Sequence, residues 1–479
     1  MNPATNHQRR IVVTGIGMVT ALGADRESTW QGLIEGRSPA APITRFDPVT
    51  VPVKFACEAN DFDPTVALDK KTIRRTDRYA QIAVAAARAA VDDAQLKIGS
   101  DVSSDRIGTS IASGMGGLET LASALEVLRS QGADRVSPFA LPALIPNMAS
   151  ALVSIELGTT GPLSASSTAC AASSMGIADA ALYLRSNLVD AMLVGGAEAI
   201  VNELAFAGFA ASRALSTRND DPKHASRPFD LDRDGFVIGE GGSVLVLEEL
   251  EHARARGAPI YAELLGFGLS SDAAHITAID PTGENPARAV KLALADAGVE
   301  PADIDYVNAH ATSTQVGDVG ETKVMKLALG EEQAYKTPIS STKSMTGHMF
   351  GAAGATEAAI TVLTQCRNVL PPTINYETPD PRCDLDYVPN EARAAEVKIA
   401  MTTGFAFGGH NTCLVFGRWD DADGRRNPSA TRPSRRPIRV RQAGTCWPSA
   451  ASVTTAPSST IVLPRRSTSS GQPPSSSPS

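Results

Sequence analysis

The sequence predicts an α/β fold built from two similar halves, and two observations lead to this prediction. Short runs rich in β-branched residues alternate with Ala-rich runs along most of the 479 residues, which is typical of strands separated by helices that flank a sheet. In addition, Gly161–Cys170 and Pro338–His348 each run from a strand-like start through a polar loop into an Ala-rich helix. A duplicated unit would place both loops at equivalent ends of two sheets, facing one cleft.

Local composition places the individual elements. Strands are predicted where β-branched and apolar residues cluster, at 10–14, 106–112, 191–194, 243–248, 306–309, 399–403 and 412–416. Helices are predicted where Ala and other good helix formers dominate, at 28–35, 79–93, 118–131, 171–185, 287–296 and 354–364. The glycines within 14–20 resemble a dinucleotide-binding loop, but the third glycine of that loop is missing. A tight turn at the edge of the core is therefore expected there.

The composition is ordinary for a globular enzyme, with 43% hydrophobic and 20% charged residues. Uninterrupted apolar stretches are too short to span a membrane, and the N-terminal residues lack an apolar signal core. Six cysteines without a CxxC pair indicate reduced thiols, and they argue against a zinc site or a disulfide framework. A cytoplasmic protein without a bound metal is expected.

The last 60 residues differ from the rest of the chain. Residues 420–479 are rich in Arg, Pro, Ser and Thr and lack apolar periodicity, so we expect a disordered tail or an artefactual, out-of-frame extension. The net charge of −8 hides a more acidic body, at about −15, because residues 421–479 contain many Arg and few acids. An acidic body argues against nucleic-acid binding. The expected organisation is a first half over 1–265, a second half over 266–419, and the tail.

Cys170 lies in a small-residue run, 167–173, that is typical of a nucleophile at the tip of a strand-to-helix turn. A thiol in the first turn of a helix lies at the positive end of the helix dipole, which favours the thiolate. A buried structural cysteine is the usual alternative for a lone Cys. His310 and His348 favour the nucleophile, since both lie in segments rich in Gly, Ser and Thr, and Lys343 precedes His348 by five residues.

Several separated motifs, in the right order over residues 10–418, resemble the elongating β-ketoacyl-acyl carrier protein synthases, condensing enzymes that use a Cys-His-His triad. Besides the cysteine turn they are Asn-Ala-His-Ala-Thr-Ser-Thr at 308–314, Ser-Thr-Lys-Ser-Met-Thr-Gly-His at 341–348, Gly-Phe-Ala-Phe-Gly-Gly-His-Asn at 404–411, and the runs 216–220 and 227–236. The resemblance implies a duplicated thiolase-like fold of five αβαβα layers with two mixed sheets, and a homodimer. It implies decarboxylative condensation of malonyl-carrier protein with an acyl thioester in fatty acid biosynthesis.

The resemblance also implies catalytic roles. Cys170 would accept the acyl group as a thioester, His310 would assist decarboxylation, and His348 would hold the thioester carbonyl. The backbone N–H groups of Cys170 and Phe407 would stabilise the oxyanion, each donor contributing roughly 2.7–4 kcal/mol. Lys343 would orient and polarise His310.

Three carboxylates complete this expected site. Lys343 would act through a local network that includes Glu357 or Glu321, and we expect Asp318 to support His310 from behind. The alternative for Asp318 is a simple helix cap.

The substrate contacts follow from the same resemblance. An acyl carrier protein would deliver the substrates on 4′-phosphopantetheine, without a permanently bound cofactor. Thr312 and Thr314, helped by Thr277, would bond the pantetheine amides, whereas satisfying turn backbone is the alternative. The remaining predictions are Phe407 as a mobile lid and Met115 and Phe209 as lining of the acyl pocket, with plain core packing as the alternative.

Basic residues are expected to attract the acidic carrier protein to the entrance; a solvated helix face is the alternative for any one of them. The predicted docking residues are Lys71, Arg74, Arg75, Arg135 and Arg213.

Three departures from the family pattern affect substrate range and lid motion more than the reaction. Ala311 and Ala406 each replace a usual Gly, and Thr403–Gly404 replaces Asn-Ser. Two rival functions remain: a specialised polyketide ketosynthase with the same chemistry, and a non-catalytic chain-length partner subunit. Such partners lack the nucleophile, so Cys170 argues against the second. A degradative thiolase would carry a second cysteine in place of His348.

Overall fold

Residues 9–420, which the computed structural model describes, form fourteen β-strands and fourteen α-helices. The strands are β1 (Ile11–Val19), β2 (Ala41–Pro42), β3 (Phe55–Ala56), β4 (Ile107–Ala112), β5 (Leu163–Ser164), β6 (Ala191–Glu198), β7 (Gly241–Glu249), β8 (Ala262–Ser271), β9 (Tyr306–Asn308), β10 (Ile339–Ser340), β11 (Val369–Leu370), β12 (Arg393–Ala394), β13 (Ile399–Ala406) and β14 (His410–Arg418). The helices are α1 (Arg26–Ile34), α2 (Lys70–Ile73), α3 (Arg78–Asp93), α4 (Leu118–Gln131), α5 (Ala140–Leu144), α6 (Met148–Leu157), α7 (Ala172–Arg185), α8 (Glu203–Ala211), α9 (Leu250–Ala255), α10 (Glu284–Ala297), α11 (Gly317–Leu329), α12 (Glu331–Lys336), α13 (Lys343–Thr346) and α14 (Ala353–Arg367). The tail predicted over 420–479 lies outside these residues, apart from Asp420.

Ten strands form one mixed sheet whose two halves repeat the same pattern. The order is β10-β9-β13-β14-β8-β1-β7-β6-β4-β5. In the first half β5, β4 and β6 run parallel to one another, β7 runs antiparallel to β6, and β1 runs antiparallel to β7. In the second half β10, β9 and β13 run parallel to one another, β14 runs antiparallel to β13, and β8 runs antiparallel to β14. The two five-stranded halves join edge to edge, where Ile11–Val13 pairs with Ala262–Leu264.

The helices complete five layers. The buried helices α7 and α14 lie between the two halves of the sheet, where residues such as Ala180 and Ala359 pack against Leu245 and Leu414 in one core cluster. On the outer face of the first half, α3 packs against β1, β6 and β7, and α6 packs against α3 and β4. On the outer face of the second half, α10 and α11 pack against β8, β9 and β14. The predicted α/β, thiolase-like architecture is confirmed, and the two mixed sheets that were predicted are joined edge to edge into one ten-stranded sheet.

The expected turn at residues 14–20 is wrong, because β1 continues through these glycines. A Cβ atom at Gly17 would lie 1.9 Å from the carbonyl oxygen of Ala86, so only Gly allows the strand to approach α3 this closely. The second half repeats this arrangement: a Cβ at Gly268 on β8 would lie 1.9 Å from the carbonyl oxygen of Ala289 on α10. The Gly-x-Gly sequences therefore serve strand–helix packing in both halves.

Among residues 9–420, the helices are all too short or too polar to cross a lipid bilayer.

Candidate active site

A cavity of about 400 Å³ opens among the loops that follow the parallel strands of both halves. Its walls include Cys170, which precedes α7, His310, which follows β9, and His348, which follows α13. The carboxyl ends of parallel strands meet at one edge of a sheet, and this explains why residues distant in sequence converge there. The structure thus brings the three triad candidates together.

Cys170 lies at the centre of a tight 3₁₀ turn, Ala169–Ala171, that leads directly into α7. The backbone at Ala169 has φ of 49°, a conformation that non-glycine residues rarely adopt and that is found at strained functional turns. The thiol is 7% exposed, and its Sγ atom lies 2.9 Å from Nε2 of His348.

Burial raises the pKa of the Cys170 thiol to about 12, although the positive charge of Lys343 acts in the opposite direction. Desolvation therefore acts against the thiolate that the helix N-terminus favours. The backbone N–H groups of Cys170 and Phe407 both lie close enough to the sulfur to favour its ionised form.

Both histidines are neutral at neutral pH. Burial and the positive charge of Lys343 keep the pKa values of His310 and His348 well below 6.5. The two rings lie edge to face, with centroids 5.6 Å apart. The His348 ring also stacks on Phe350 at 4.5 Å, and its backbone N–H donates to the carbonyl of Val237 at 2.7 Å. Neutral imidazoles can donate an N–H bond without supplying a proton to a carbanion.

Lys343 forms a buried ion pair with Glu357 on α14. Burial raises the pKa of Glu357 to about 7, and the lysine lowers it. Of the two carboxylates proposed as partners of Lys343, Glu357 makes the direct contact. Lys343 influences both histidines through its charge; its ammonium group donates its hydrogen bond to Glu357.

Glu321 instead holds the backbone at the first histidine. Its carboxylate accepts hydrogen bonds from the N–H groups of His310 and Ala311, at 2.9 and 2.6 Å, and from the hydroxyl of Thr403 at 2.7 Å. Thr403, one of the departures from the family pattern, therefore takes part in fixing His310.

Asp318 does not support His310 in the way we expected. It is fully buried on α11 and accepts the N–H of Phe229 at 2.8 Å, and Arg233 lies 3.6 Å away. Burial raises the pKa of Asp318 to about 7. Because α11 turns Asp318 towards the Arg227–Arg233 segment, Glu321, one turn later, is the acid that reaches the histidine.

The three predicted pantetheine threonines all line the cavity. The hydroxyl oxygens of Thr312 and Thr314 lie 3.2 Å apart, so one of them donates to the other. Thr277 lies in an exposed segment, where its hydroxyl and its N–H lie 3.3 and 3.1 Å from Nδ1 of His275. Thr312 and Thr314 are thus the pair better placed at the cavity wall.

Phe407 stands at the turn between β13 and β14 and is 38% exposed. Gly408 and Gly409, which follow it, have φ values of 84° and 76°, so glycine suits both positions. The N–H of Gly408 donates to the carbonyl of Ile276 at 2.8 Å, which ties this turn to the segment that carries Thr277.

Met115 and Phe209 are not among the residues that line the 400 Å³ cavity. Both are partly buried in the apolar cluster that contains Cys170. Phe209 stacks on Phe350 at 4.9 Å, and Phe350 in turn forms the cavity wall. Their predicted place in the lining of an acyl pocket stays a prediction.

The predicted docking residues are exposed, but the structure places them differently around the cavity. Arg213, just after α8, lines its mouth. The guanidinium of Arg75 lies 4.5 Å above the ring of Phe139, which is itself 37% exposed. The other basic candidates, all on the surface, are Lys71, Arg74 and Arg135.

Sequence reasoning missed Glu198, at the end of β6. Its fully buried carboxylate accepts hydrogen bonds from two turns beside Cys170. An acidic residue closing an otherwise apolar strand was the available signal.

Comparisons with known proteins agree with this geometry. Residues 8–253 match the family described as "Beta-ketoacyl synthase, N-terminal domain", and residues 261–377 match "Beta-ketoacyl synthase, C-terminal domain". The chain is 49% identical to a 3-oxoacyl-[acyl-carrier-protein] synthase 2 from Synechocystis sp., over 87% of this chain and 100% of the relative. It is 48% identical to the Coxiella burnetii protein of the same name, over 86% of this chain and 99% of the relative.

Solved structures show the same fold. A β-ketoacyl synthase from Burkholderia phymatum superposes with a TM-score of 0.80 at 38% identity, covering 86% of this chain and 100% of that chain. A type II polyketide ketosynthase in complex with its acyl-carrier protein has a TM-score of 0.79 at 34% identity, with the same coverage. Relatives this similar over nearly their whole length, together with two family matches in the expected order, leave one assignment: the chain belongs to the β-ketoacyl synthase family.

Proposed function

We propose that this protein is a 3-oxoacyl-[acyl-carrier-protein] synthase, which condenses malonyl-carrier protein with a carrier-bound acyl chain in fatty acid biosynthesis. The observation that carries the proposal is the 2.9 Å contact between Sγ of Cys170 and Nε2 of His348, in a cavity that His310 also lines. A thiol, a proton acceptor in contact with it and a second neutral imidazole are the groups that this chemistry requires.

In the first stage the acyl group moves to the protein. As the sulfur of Cys170 attacks the thioester carbonyl, His348 takes the thiol proton and passes it to the departing pantetheine sulfur. The negative charge on the carbonyl oxygen is stabilised by the backbone N–H groups of Cys170 and Phe407. Atoms balance: one thioester forms, one breaks, and the proton moves from one sulfur to the other.

In the second stage malonyl thioester loses carbon dioxide, and the electron pair of the broken C–C bond forms an enolate. The imidazole N–H group of His310 stabilises the enolate oxygen without protonating the carbanion, because the pKa of His310 lies well below neutral pH. The carbanion then attacks the acyl carbonyl on Cys170, and the Cys170 thiolate leaves and takes up a proton from solvent. The product is a 3-oxoacyl thioester on the carrier.

We propose that an acyl carrier protein presents both substrates on its 4′-phosphopantetheine arm, and the names of the relatives support this. Thr312 and Thr314 would bond the amides of the arm. Arg213 at the cavity mouth, with the exposed basic residues on and after α2, would attract the acidic surface of the carrier. The cysteine spacing, which lacks the pattern of a disulfide framework, supports a cytoplasmic location as part of this proposal.

We propose that the protein is a homodimer joined through β5. This strand is at one end of the ten-stranded sheet, so one of its edges remains open for another strand. Leu141, Ile155 and Leu163, in the same part of the chain, are 71%, 75% and 50% exposed, and clustered apolar surface marks an interface. In size-exclusion chromatography with light scattering, Ile155→Asp should give a monomer, whereas Val49→Asp, at an equally exposed apolar position elsewhere, should remain a dimer.

The polyketide alternative is less well supported. The type II polyketide ketosynthase is 34% identical to this chain and the β-ketoacyl synthase from Burkholderia phymatum is 38% identical, whereas the relatives named 3-oxoacyl-[acyl-carrier-protein] synthase 2 are 48–49% identical. A non-catalytic chain-length subunit would not need the contact between Cys170 and His348.

The deciding experiment combines two readouts on the purified protein. Iodoacetamide should label Cys170 and abolish condensation, and wild-type protein with malonyl- and acyl-carrier protein should release carbon dioxide and form a 3-oxoacyl product. Acyl chains of increasing length then separate the fatty acid role from a specialised one. Carbon dioxide release without product, in protein with an unmodified Cys170, would contradict the proposal.

A further inference from the structure

The side chain of Glu198 is a buried anion with four hydrogen-bond donors around it. Its Oε1 atom accepts from the hydroxyl of Ser113 at 2.8 Å and from the N–H of Met115 at 3.2 Å. Its Oε2 atom accepts from the N–H groups of Gly114 at 2.7 Å and Gly351 at 2.9 Å. The residue is 0% exposed, so these bonds replace its hydration.

The pattern of donors favours the carboxylate. Three of the four partners are backbone N–H groups, which can only donate. A carboxylate accepts all four hydrogen bonds, whereas a protonated carboxyl could direct its single O–H only to the hydroxyl of Ser113. Burial raises the pKa of Glu198 and these hydrogen bonds lower it, so in the alkaline range where a buried thiol ionises the group is negatively charged.

The carboxylate joins two turns that come from different halves of the chain. A Cβ atom at Gly351 would lie 2.2 Å from the nitrogen of Gly114 and 2.8 Å from Oε2 of Glu198. A Cβ at Gly114 would lie 2.9 Å from the same oxygen and 3.7 Å from the carbonyl oxygen of Ala169, the residue before the nucleophile. The two turns and the nucleophile turn are therefore in direct contact around this carboxylate.

One of these turns determines the surroundings of the second histidine. Gly351 belongs to the 3₁₀ turn Phe350–Ala352, and Phe350 has φ of 45°, which is rare for a non-glycine residue. The ring of Phe350 stacks on His348 at 4.5 Å. A bond from Glu198 to Gly351 therefore helps to hold the strained turn that places this ring.

We propose that Glu198 is a positioning residue of the active site: it holds the turns at 113–115 and 350–352 against the Cys170 turn, and its negative charge opposes that of Lys343 at the sulfur. The proposal rests on Cys170 being the acyl acceptor in the proposed function. It adds a residue that touches no substrate and acts through His348, Phe350 and Cys170.

The charge of Glu198 has a measurable effect on the ionisation of Cys170. The negative charge of Glu198 raises the pKa of the Cys170 thiol, and the positive charge of Lys343 lowers it. Glu198→Gln keeps the size of the side chain, removes the charge, and puts an NH₂ group where backbone N–H groups need an acceptor. The thiol pKa should fall, so Cys170 should react with iodoacetamide at lower pH.

Three variants separate positioning from general stability. Glu198→Asp keeps the charge but shortens the reach of the carboxylate. Glu248→Gln is the matched control, since Glu248 is also 0% exposed, but its carboxylate bonds Thr14, His252 and Arg256 instead of the site. Ser113→Ala removes one donor and leaves the charge. Alkylation of Cys170 is followed by mass spectrometry from pH 7 to 10, beside condensation kinetics and melting temperature.

At pH values below the pKa of the Cys170 thiol, Glu198→Gln should be alkylated about tenfold faster than the wild-type protein at the same pH. This difference corresponds to a thiol pKa that is lower by about one unit. Condensation kcat should fall about tenfold or more with little change in KM. Glu198→Asp should lose kcat without the alkylation shift. Glu248→Gln should lower the melting temperature alone, leaving kcat and the alkylation profile at wild-type values.

Two results would overturn the proposal. If Glu198→Gln behaves like Glu248→Gln, Glu198 is structural; if Glu198→Asp shifts the alkylation profile as far as Glu198→Gln, hydration of a loosened site explains the shift. Should Glu198→Gln not fold, Ser113→Ala decides: a several-fold loss of kcat supports positioning and wild-type kcat refutes it. Alkylation needs no carrier protein, so it remains readable if the wild-type protein fails to condense.

Discussion

Nε2 of His348 lies 2.9 Å from Sγ of Cys170, although the two residues are 178 positions apart in the chain. Burial affects the two groups in opposite directions: it lowers the pKa of the imidazole and raises the pKa of the thiol. At neutral pH the resting pair is therefore uncharged, with the proton on sulfur. The thiol becomes a nucleophile when the proton moves to the histidine during attack on a bound thioester.

The first prediction concerns the nucleophile. Cys170→Ala should reduce condensation by about 10³-fold or more, because the acyl acceptor is lost, while the melting temperature stays near that of wild type because Ala fits the same small turn. Cys170→Gln should keep or increase malonyl decarboxylation, since its amide can imitate the acylated thiol in front of the N–H groups of Cys170 and Phe407. Product formation and carbon dioxide release are measured separately. Condensation by Cys170→Ala would exclude Cys170 as the acyl acceptor.

The second prediction concerns the charge of Lys343. This charge lowers the pKa values of His310 and His348, so Lys343→Met should raise them, and each imidazole then gains its proton at a higher pH. The acid limb of the kcat/KM profile should move upward by about one pH unit. An unchanged acid limb would show that neither histidine controls the rate.

A double variant separates this effect from stability. Lys343→Met leaves Glu357 buried without its partner, which should cost about 3–5 kcal/mol of unfolding free energy. Adding Glu357→Gln should restore much of the stability by removing the unpaired charge, but the acid limb should stay shifted. Chemical denaturation of both variants measures the unfolding free energy, and their pH–rate profiles measure the position of the acid limb.

Most long elements could be predicted from local sequence, because their composition and burial agree. The predicted helix 118–131 coincides with α4, α3 and α7 differ from prediction by one residue at the first position only, and α10 and α14 differ by one to three residues at each end. Strand β8 was missed, since Gly266 and Gly268 have the signature of a turn; they are there because α10 packs against them. Tertiary packing between strand and helix overrides the local signal in that case.

The site residues that lie within contiguous sequence motifs could be predicted. Cys170, His310 and His348 lie within such motifs, and the structure brings them to one cavity. Glu198 lies outside these motifs, and its role comes from hydrogen bonds to segments about 85 and 150 residues away. The burial of Cys170 could not be found from local sequence either, because burial is a property of the folded chain, and it raises the pKa of the thiol.

The third prediction concerns the end of the folded body. Trp419 lies between Arg10 and Arg254, whose guanidinium groups are 5.6 and 5.4 Å from its ring. A protein ending at Asp420 should keep full activity and the wild-type melting temperature, because the residues beyond it lack core-forming periodicity. A protein ending at Arg418 should lose about 0.5–1 kcal/mol for each cation–π contact removed. If the protein ending at Asp420 melts several degrees below the full chain, the tail packs on the body.

The last prediction concerns acyl chain length. Met115 lies in the apolar cluster that contains Cys170, behind the wall of the 400 Å³ cavity, and its flexible thioether fills space into which a longer chain could extend. Met115→Gly should extend the accepted acyl length and Met115→Phe should shorten it. The reason is steric, since each added methylene gains about 0.8 kcal/mol by burial only while room remains. The measurement is kcat/KM for acyl-carrier substrates of increasing length, with Phe209→Leu as a comparison behind Phe350. If the Gly, Phe and wild-type profiles superimpose, Met115 is ordinary core and the acyl chain extends elsewhere.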